Sequence, residues 1–101
     1  MQSVELHIAA DHPAYAGHFP NHPVFPGAAL LDLVIRTLDA ATLIRIDEWY
    51  LEGAKFQSAL SPGEPAILRH ESPRDGVIRF SIVSNERTVA TGSLTRREPP
   101  R

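Results

Sequence analysis

Apolar and polar residues alternate from Ser3 to Ala9, with Val4, Leu6 and Ile8 on one face and Glu5 and His7 on the other, which predicts a strand. The alternation stops at Asp11. From there to Pro26, four prolines and a glycine forbid regular structure and predict a loop. A new period starts at Ala28. Up to Ala41, apolar residues fall on nearly every side (Leu30, Leu31, Leu33, Val34, Ile35 and Leu38 among them), which predicts one helix buried on most sides. Pro26-Gly27 opens it, a first-turn proline followed by a glycine that permits close backbone packing. Strand-like pieces follow. Leu43 to Ala59 reads as two strands or one long bent strand with Gly53 at the bend, and Pro65–Glu71, Gly76–Ser84 and Thr88–Arg96 read as one strand each. They are separated by Ser61-Pro62-Gly63-Glu64, Ser72-Pro73-Arg74-Asp75 and Asn85-Glu86, which carry turn chemistry. The tail from Arg97 to Arg101 is expected to fray. One buried helix with several antiparallel strands around it is an α+β arrangement, in which the strands must wrap the helix because nothing else can cover it. Neither a repeat nor a linker interrupts the chain, so a single domain over residues 1–101 is expected.

Composition narrows the class. A chain of 101 residues supports one compact domain, and at that size self-association would add stability. Hydrophobic residues make up 43% and charged residues 22%, the balance of a soluble globular protein. A formal net charge of −2 offers no sequence-independent attraction to nucleic acid. The absence of cysteine excludes disulfides, thiolate zinc sites, iron–sulfur clusters and a cysteine nucleophile. No apolar run is long enough to span a bilayer, so no membrane is implied. The first residues show no basic region followed by an apolar one, so no secretion signal is expected, and the expected compartment is the cytoplasm.

Candidate chemistry concentrates in the run from Gly17 to Gly27, which holds two histidines, two phenylalanines and five proline or glycine residues and leads straight into the helix. Such a loop is suited to hold His18 in one geometry and to present backbone N–H groups at a helix start, which is apparatus for work on a carbonyl. Each residue also has a plainer reading. His18 could cap a turn. Asp32 and Arg36 stand four apart, the spacing of an ordinary helical ion pair. His18 and His22 are also four apart, with His12 nearby, but Pro20 and Pro23 prevent a helix there, and no metal site or other cofactor is expected. His70 reads as a surface or packing residue.

His18-Phe19-Pro20, then Pro23-Val24, then Pro26-Gly27 and the acidic Asp32 closely resemble bacterial 3-hydroxyacyl-[acyl carrier protein] dehydratases. Ala54-Lys55-Phe56-Gln57 followed by Ser61-Pro62-Gly63-Glu64 resembles the strand and turn that follow the helix in that family, and the likeness runs in order over roughly residues 3–95. The resemblance implies a hot-dog fold, a curved antiparallel sheet wrapped around one long central helix. Two such units pair, and the active site lies between them. It further implies catalytic roles for His18 as base, Asp32 of the other subunit as acid and Gly27 as backbone donor to the thioester oxygen. Val24 would orient the His18 ring through its carbonyl. Val24, Phe19, Phe25, Pro26, Arg36 and Phe56 are the candidate substrate-binding residues, with core packing the plainer reading of the phenylalanines and solvation that of Arg36. The implied partners are acyl carrier protein, with its phosphopantetheine-linked acyl substrate, and a second copy of the chain. A higher homo-oligomer or a related subunit in the second position is also open. Three departures stand out. Asp32 replaces the glutamate of most single-function members. Arg36 stands where glutamine is usual. The chain is short, as in the small dehydratases of aryl polyene and other specialised acyl pathways.

The chemistry of dehydration agrees with these residue types. Histidine titrates near working pH, with an unperturbed pKa of about 6.5, and can take the C2 proton. The N–H of Gly27 at a helix N-terminus offers a hydrogen bond and a positive dipole end to charge that develops on the thioester oxygen. A carboxyl on an apolar helix, as Asp32 is between Leu31 and Leu33, would stay protonated through burial and could protonate the departing hydroxyl. The competing readings are a non-catalytic subunit that binds an acyl chain or completes an active homologue, and a hot-dog thioesterase. A weakly exposed Asp32 favours the enzyme, and a tight Asp32–Arg36 pair favours the non-catalytic subunit.

Overall fold

The computed structural model describes residues 2–16, 24–41, 44–45 and 47–97. Among them, five strands and one helix follow in the order β1 (Gln2–Leu6), α1 (Gly27–Ala40), β2 (Trp49–Phe56), β3 (Ala66–His70), β4 (Val77–Ser84) and β5 (Arg87–Arg96), with a 3-10 turn at Pro13–Tyr15 ahead of the helix. All five strands form one antiparallel sheet in the order β1-β3-β4-β5-β2.

Local stereochemistry accounts for the two tight hairpins. Between β3 and β4, Arg74 and Val77 exchange two backbone hydrogen bonds of 2.9 and 3.0 Å across Asp75-Gly76, whose φ values are 54° and 74°. Between β4 and β5, Asn85 and Glu86 have φ of 49° and 66°. Two consecutive left-handed residues give a turn whose twist matches that of the flanking strands. The stretch read as one bent strand or two is one strand, β2, with a register shift between Leu51 and Gly53 against β5. Opposite it, Gly92 is sterically required. A Cβ there would lie 2.6 Å from Cζ of Phe80 and 2.7 Å from the carbonyl oxygen of Gly53.

The inner face of the sheet is apolar apart from His70 and Ser84. Leu68, Ile78, Ile82, Val89, Ala90 and Leu94 are almost wholly buried there, and they share one core with Leu30, Val34 and Leu38 of α1. The expected burial of the helix on most sides is corrected here. Leu30, Val34 and Leu38 repeat every four residues and form one stripe, while Ala28, Asp32, Arg36, Asp39 and Ala40 are exposed. A sheet packed on one side of a fourteen-residue helix covers only the stripe that faces it, since successive residues are 100° apart. The helix runs Gly27–Ala40 with Pro26 as its N-cap, so the proline precedes the first turn instead of lying in it. His70 is a packing residue, 2% exposed, with Nδ1 3.2 Å from the carbonyl oxygen of Glu71.

Candidate active site

The helix start is where backbone chemistry becomes available. Pro26 provides no side-chain cap, and Leu30 N–H donates to its carbonyl at 3.0 Å. The first N–H groups of a helix have no intrahelical acceptor, so those at Gly27 and the following residues stay open to a ligand. Gly27 also has a steric role. A Cβ at this position would lie 2.8 Å from Cζ of Phe56, whose ring lies over the helix start from the end of β2. Val24, Gly27, Phe56 and Ser58 are among the residues lining a cleft of about 390 Å³ at this corner. A wider trough of about 570 Å³ lies elsewhere, on the sheet face that carries Lys55, Arg69, Arg79 and Ser81, away from the helix start.

The remaining predicted residues divide into three groups. His18, Phe19 and His22 lie outside the described residues. Val24, Pro26, Gly27 and Phe56 come together at the cleft and helix start. Phe25 lines the same corner but is 7% exposed, held edge-on against Tyr15 at 5.4 Å and against His12 at 5.1 Å between ring centroids. His12 itself accepts the Ala14 N–H at Nδ1, 3.0 Å away, and so closes the 3-10 turn.

Asp32 departs from expectation. Its neighbours Leu31 and Leu33 point to other sides of the helix, so they do not enclose it. In the single chain its side chain is 57% exposed, and Arg36 Nε donates to Asp32 Oδ2 at 2.8 Å. The apolar setting expected for this carboxyl is absent, and the pairing read as the plain alternative is present. Surface pairs of this kind contribute little to stability.

One group of residues that sequence reasoning passed over stands just behind the cleft. The Arg87 guanidinium donates to both carboxylate oxygens of Glu64, at 2.7 and 2.9 Å, to the Ala59 carbonyl at 2.7 Å and to Ser58 Oγ at 3.3 Å. The Glu64 carboxylate also accepts the Ser61 N–H at 2.8 Å. These bonds to Arg87 first, and then to Ser61, pull the Glu64 carboxyl down to about 2 from the ordinary value of 4.5. The Tyr15 phenol is shifted upward, chiefly by burial and secondly by the Glu64 charge. The only hint in the sequence was Ser61-Pro62-Gly63-Glu64, legible as a turn, while its partner lies 23 residues further on.

Comparison with known proteins follows the same lines. The ApeI-like family, described as ApeI dehydratase, matches over residues 1–93. The 3-hydroxyacyl-[acyl-carrier-protein] dehydratase FabZ of Bartonella henselae is 29% identical over 92 residues, or 81% of this chain and 59% of that protein. The same enzyme of Bartonella quintana is 31% identical over 87 residues, covering 76% of this chain and 56% of that protein. The chain thus spans a little over half the length of these relatives. Among solved structures, the dehydratase heterocomplex ApeI:P of Xenorhabdus doucetiae superposes with a TM-score of 0.74 at 23% identity, covering 95% of this chain and 86% of that one. The dehydratase domain of PpsC from Mycobacterium tuberculosis, in complex with C12:1-CoA, superposes at 0.69 and 20% identity, covering 98% of this chain and 38% of that one. At these identities the likeness is one of fold, and the fold is the α+β hot-dog arrangement of one antiparallel sheet and one helix.

Proposed function

The chain belongs to the ApeI-like dehydratase family, and from that premise we propose that it removes water from a 3-hydroxyacyl thioester carried on acyl carrier protein, yielding the trans-2-enoyl thioester in fatty-acid or specialised polyene biosynthesis. The observation that carries the reading is the helix start at Gly27. Its N–H has no intrahelical acceptor, its missing side chain leaves room beside the Phe56 ring, and the run bearing His18 leads directly into it. His18 takes the C2 proton, with its ring oriented by the Val24 carbonyl. The electron pair of that C–H bond forms the C2–C3 double bond as the C3–O bond breaks. The Gly27 N–H holds the charge that gathers on the thioester oxygen during the transfer. The departing hydroxyl accepts a proton from Asp32 of the second subunit and leaves as water.

The partner is a second copy, with β2 at the sheet edge as the natural seam. Tyr50 and Phe56 of that strand are 41% and 48% exposed. The same pairing would give Asp32 the cover that a single chain, in which its side chain is 57% exposed, withholds. A related but distinct subunit could fill that place, since the ApeI:P dehydratase of Xenorhabdus doucetiae is a heterocomplex. The exposed Asp32–Arg36 pair favours a second reading, in which this chain is the non-catalytic half of such a complex.

The test is hydration of a trans-2-enoyl thioester, followed by loss of its ultraviolet absorbance, with wild type beside His18→Ala and the substrate on both carrier protein and a small thiol. Turnover by wild type alone is expected. Equal turnover by a well-folded His18→Ala would remove the mechanism, and no turnover by either would turn the assignment to the non-catalytic subunit.

A further inference from the structure

Resting on the dehydratase reading, we infer that Arg87 and Glu64 are positioning residues for catalysis, forming a clamp that holds the start of α1 against the sheet.

The argument is one of connectivity. Beyond β2 the chain passes to β3 through residues 57–65, and Arg87, the first residue of β5, fastens this crossing. All three guanidinium nitrogens are engaged, with Nη1 and Nη2 on Glu64, Nη2 also on the Ala59 carbonyl and Nε on Ser58 Oγ. Ser58 Oγ in turn donates to the Thr88 carbonyl at 2.9 Å, and the Gln57 N–H to the Val89 carbonyl at 2.8 Å. The crossing is thereby tied to the first residues of β5. Further along it, Leu60 is 1% exposed, and its carbonyl accepts the Phe25 N–H at 2.9 Å. Phe25 stands two residues before Gly27. One hydrogen bond therefore connects the clamped crossing to the segment that sets the position of the oxyanion donor.

Phe25 is held by an aromatic contact as well. Its ring meets that of Tyr15 edge to face at 5.4 Å, and both side chains are buried. The Glu64–Arg87 pair fixes the crossing to which the Phe25 N–H is bonded. Its two side chains are only 21% and 35% exposed, so the pair is better sheltered than the Asp32–Arg36 pair on α1, at 57% and 69%. A planar, bidentate guanidinium with three further acceptors, Ser58 Oγ and the Ala59 and Ser84 carbonyls, fixes direction as well as distance, which a point charge cannot do. Neither residue lines the cleft at the helix start, so their influence on the reaction runs through Leu60 and Phe25 and through Ser58 and Ala59, which line it.

The experiment uses the full chain with Glu64→Gln, which is nearly isosteric, and Arg87→Met and Arg87→Lys. It measures kcat and KM for enoyl thioester hydration, the pH profile of kcat, and amide hydrogen exchange residue by residue. A misplacement of an ångström at the donor costs about tenfold to a hundredfold in rate, so kcat is expected to fall by that order while KM stays within about twofold. Arg87→Lys is expected to recover part of the loss. The pH limbs of kcat stay in place, because neither residue exchanges a proton with substrate. Exchange at Phe25 N–H quickens with the loss of kcat, while exchange at Ile78 and Phe80 does not change. Unaltered kcat in Glu64→Gln would overturn the inference, as would a shifted pH limb or a loss of kcat without faster exchange at Phe25. If Arg87→Met does not fold, Glu64→Gln decides. Wild type that hydrates nothing would instead remove the dehydratase reading. The exchange data would then judge the clamp alone, and unchanged Phe25 exchange would overturn it.

Discussion

Strands β4 and β2 flank the same neighbour, β5, yet they treat their side chains in opposite ways. Along β4, buried residues alternate with half-buried or exposed ones, and Ile78 and Ile82 show no surface at all. Along β2 no residue is fully buried, and from Glu52 onward every side chain is exposed, Phe56 included. The helix repeats the contrast, with Leu30, Val34 and Leu38 sealed on one side and Asp32 and Arg36 open on the other. The inner strands carry the stability of the single chain. The edge and the open side of the helix carry the features that the proposed reaction and the proposed pairing require. Segregation of this kind is expected where function needs groups that a lone core would have no reason to keep at the surface.

The sharpest challenge to this contrast is a matched pair of truncations. Ile82→Ala removes fully buried methylenes and is expected to cost about 2–5 kcal/mol in a denaturant titration. Phe56→Ala, at a half-exposed position, should cost no more than about 1 kcal/mol in the same titration. Its larger effect should be seen in sedimentation, as a shift from dimer toward monomer. Equal stability losses in the two variants would mean that β2 belongs to the core after all. A second test separates space from chemistry. Gly27→Ala forces the Phe56 ring aside and narrows the approach to the helix start. A drop in kcat/KM of about a hundredfold, with the midpoint of unfolding nearly unchanged, is the expected outcome. Unchanged kinetics would show that the thioester does not pass over Gly27.

The smallest effect concerns acid stability. Glu64 has a folded pKa of about 2 against an ordinary 4.5, so the unfolded chain takes up this proton first. The contribution of the pair is full above about pH 4.5, shrinks as pH falls toward 2, and is gone below that. Glu64→Gln should therefore be less stable than wild type at neutral pH and should converge with it in acid. A constant gap between the two curves from pH 7 to pH 2 would contradict the paired state of this carboxylate.

Parts of this molecule were legible residue by residue. Alternation marked β4 and β5 to within one residue at either end, because a strand with one buried face has a period of two whatever it pairs with. Pro26-Gly27 marked the helix start because proline cannot continue a chain of N–H donors. At the candidate site, the helix start at Gly27 was legible, whereas the setting of Asp32 was not. A run of mostly apolar residues around a carboxylate says that the helix is apolar on average. It does not say which side meets the sheet.

The limits of most elements, the places of the tight turns and the packing of one helix on strands could all be had from the amino-acid order alone. They follow from backbone stereochemistry and local periodicity, which act over a few residues. Other features came only with the folded chain: β2 lies at the edge, Phe56 covers Gly27, Asp32 stands in the open beside Arg36, and Arg87 reaches Glu64 across 23 positions of chain. An alternating pattern specifies which face of a strand is buried and leaves its neighbour unspecified. The neighbour is selected when the whole chain closes on one core, and every one of these contacts depends on that closure.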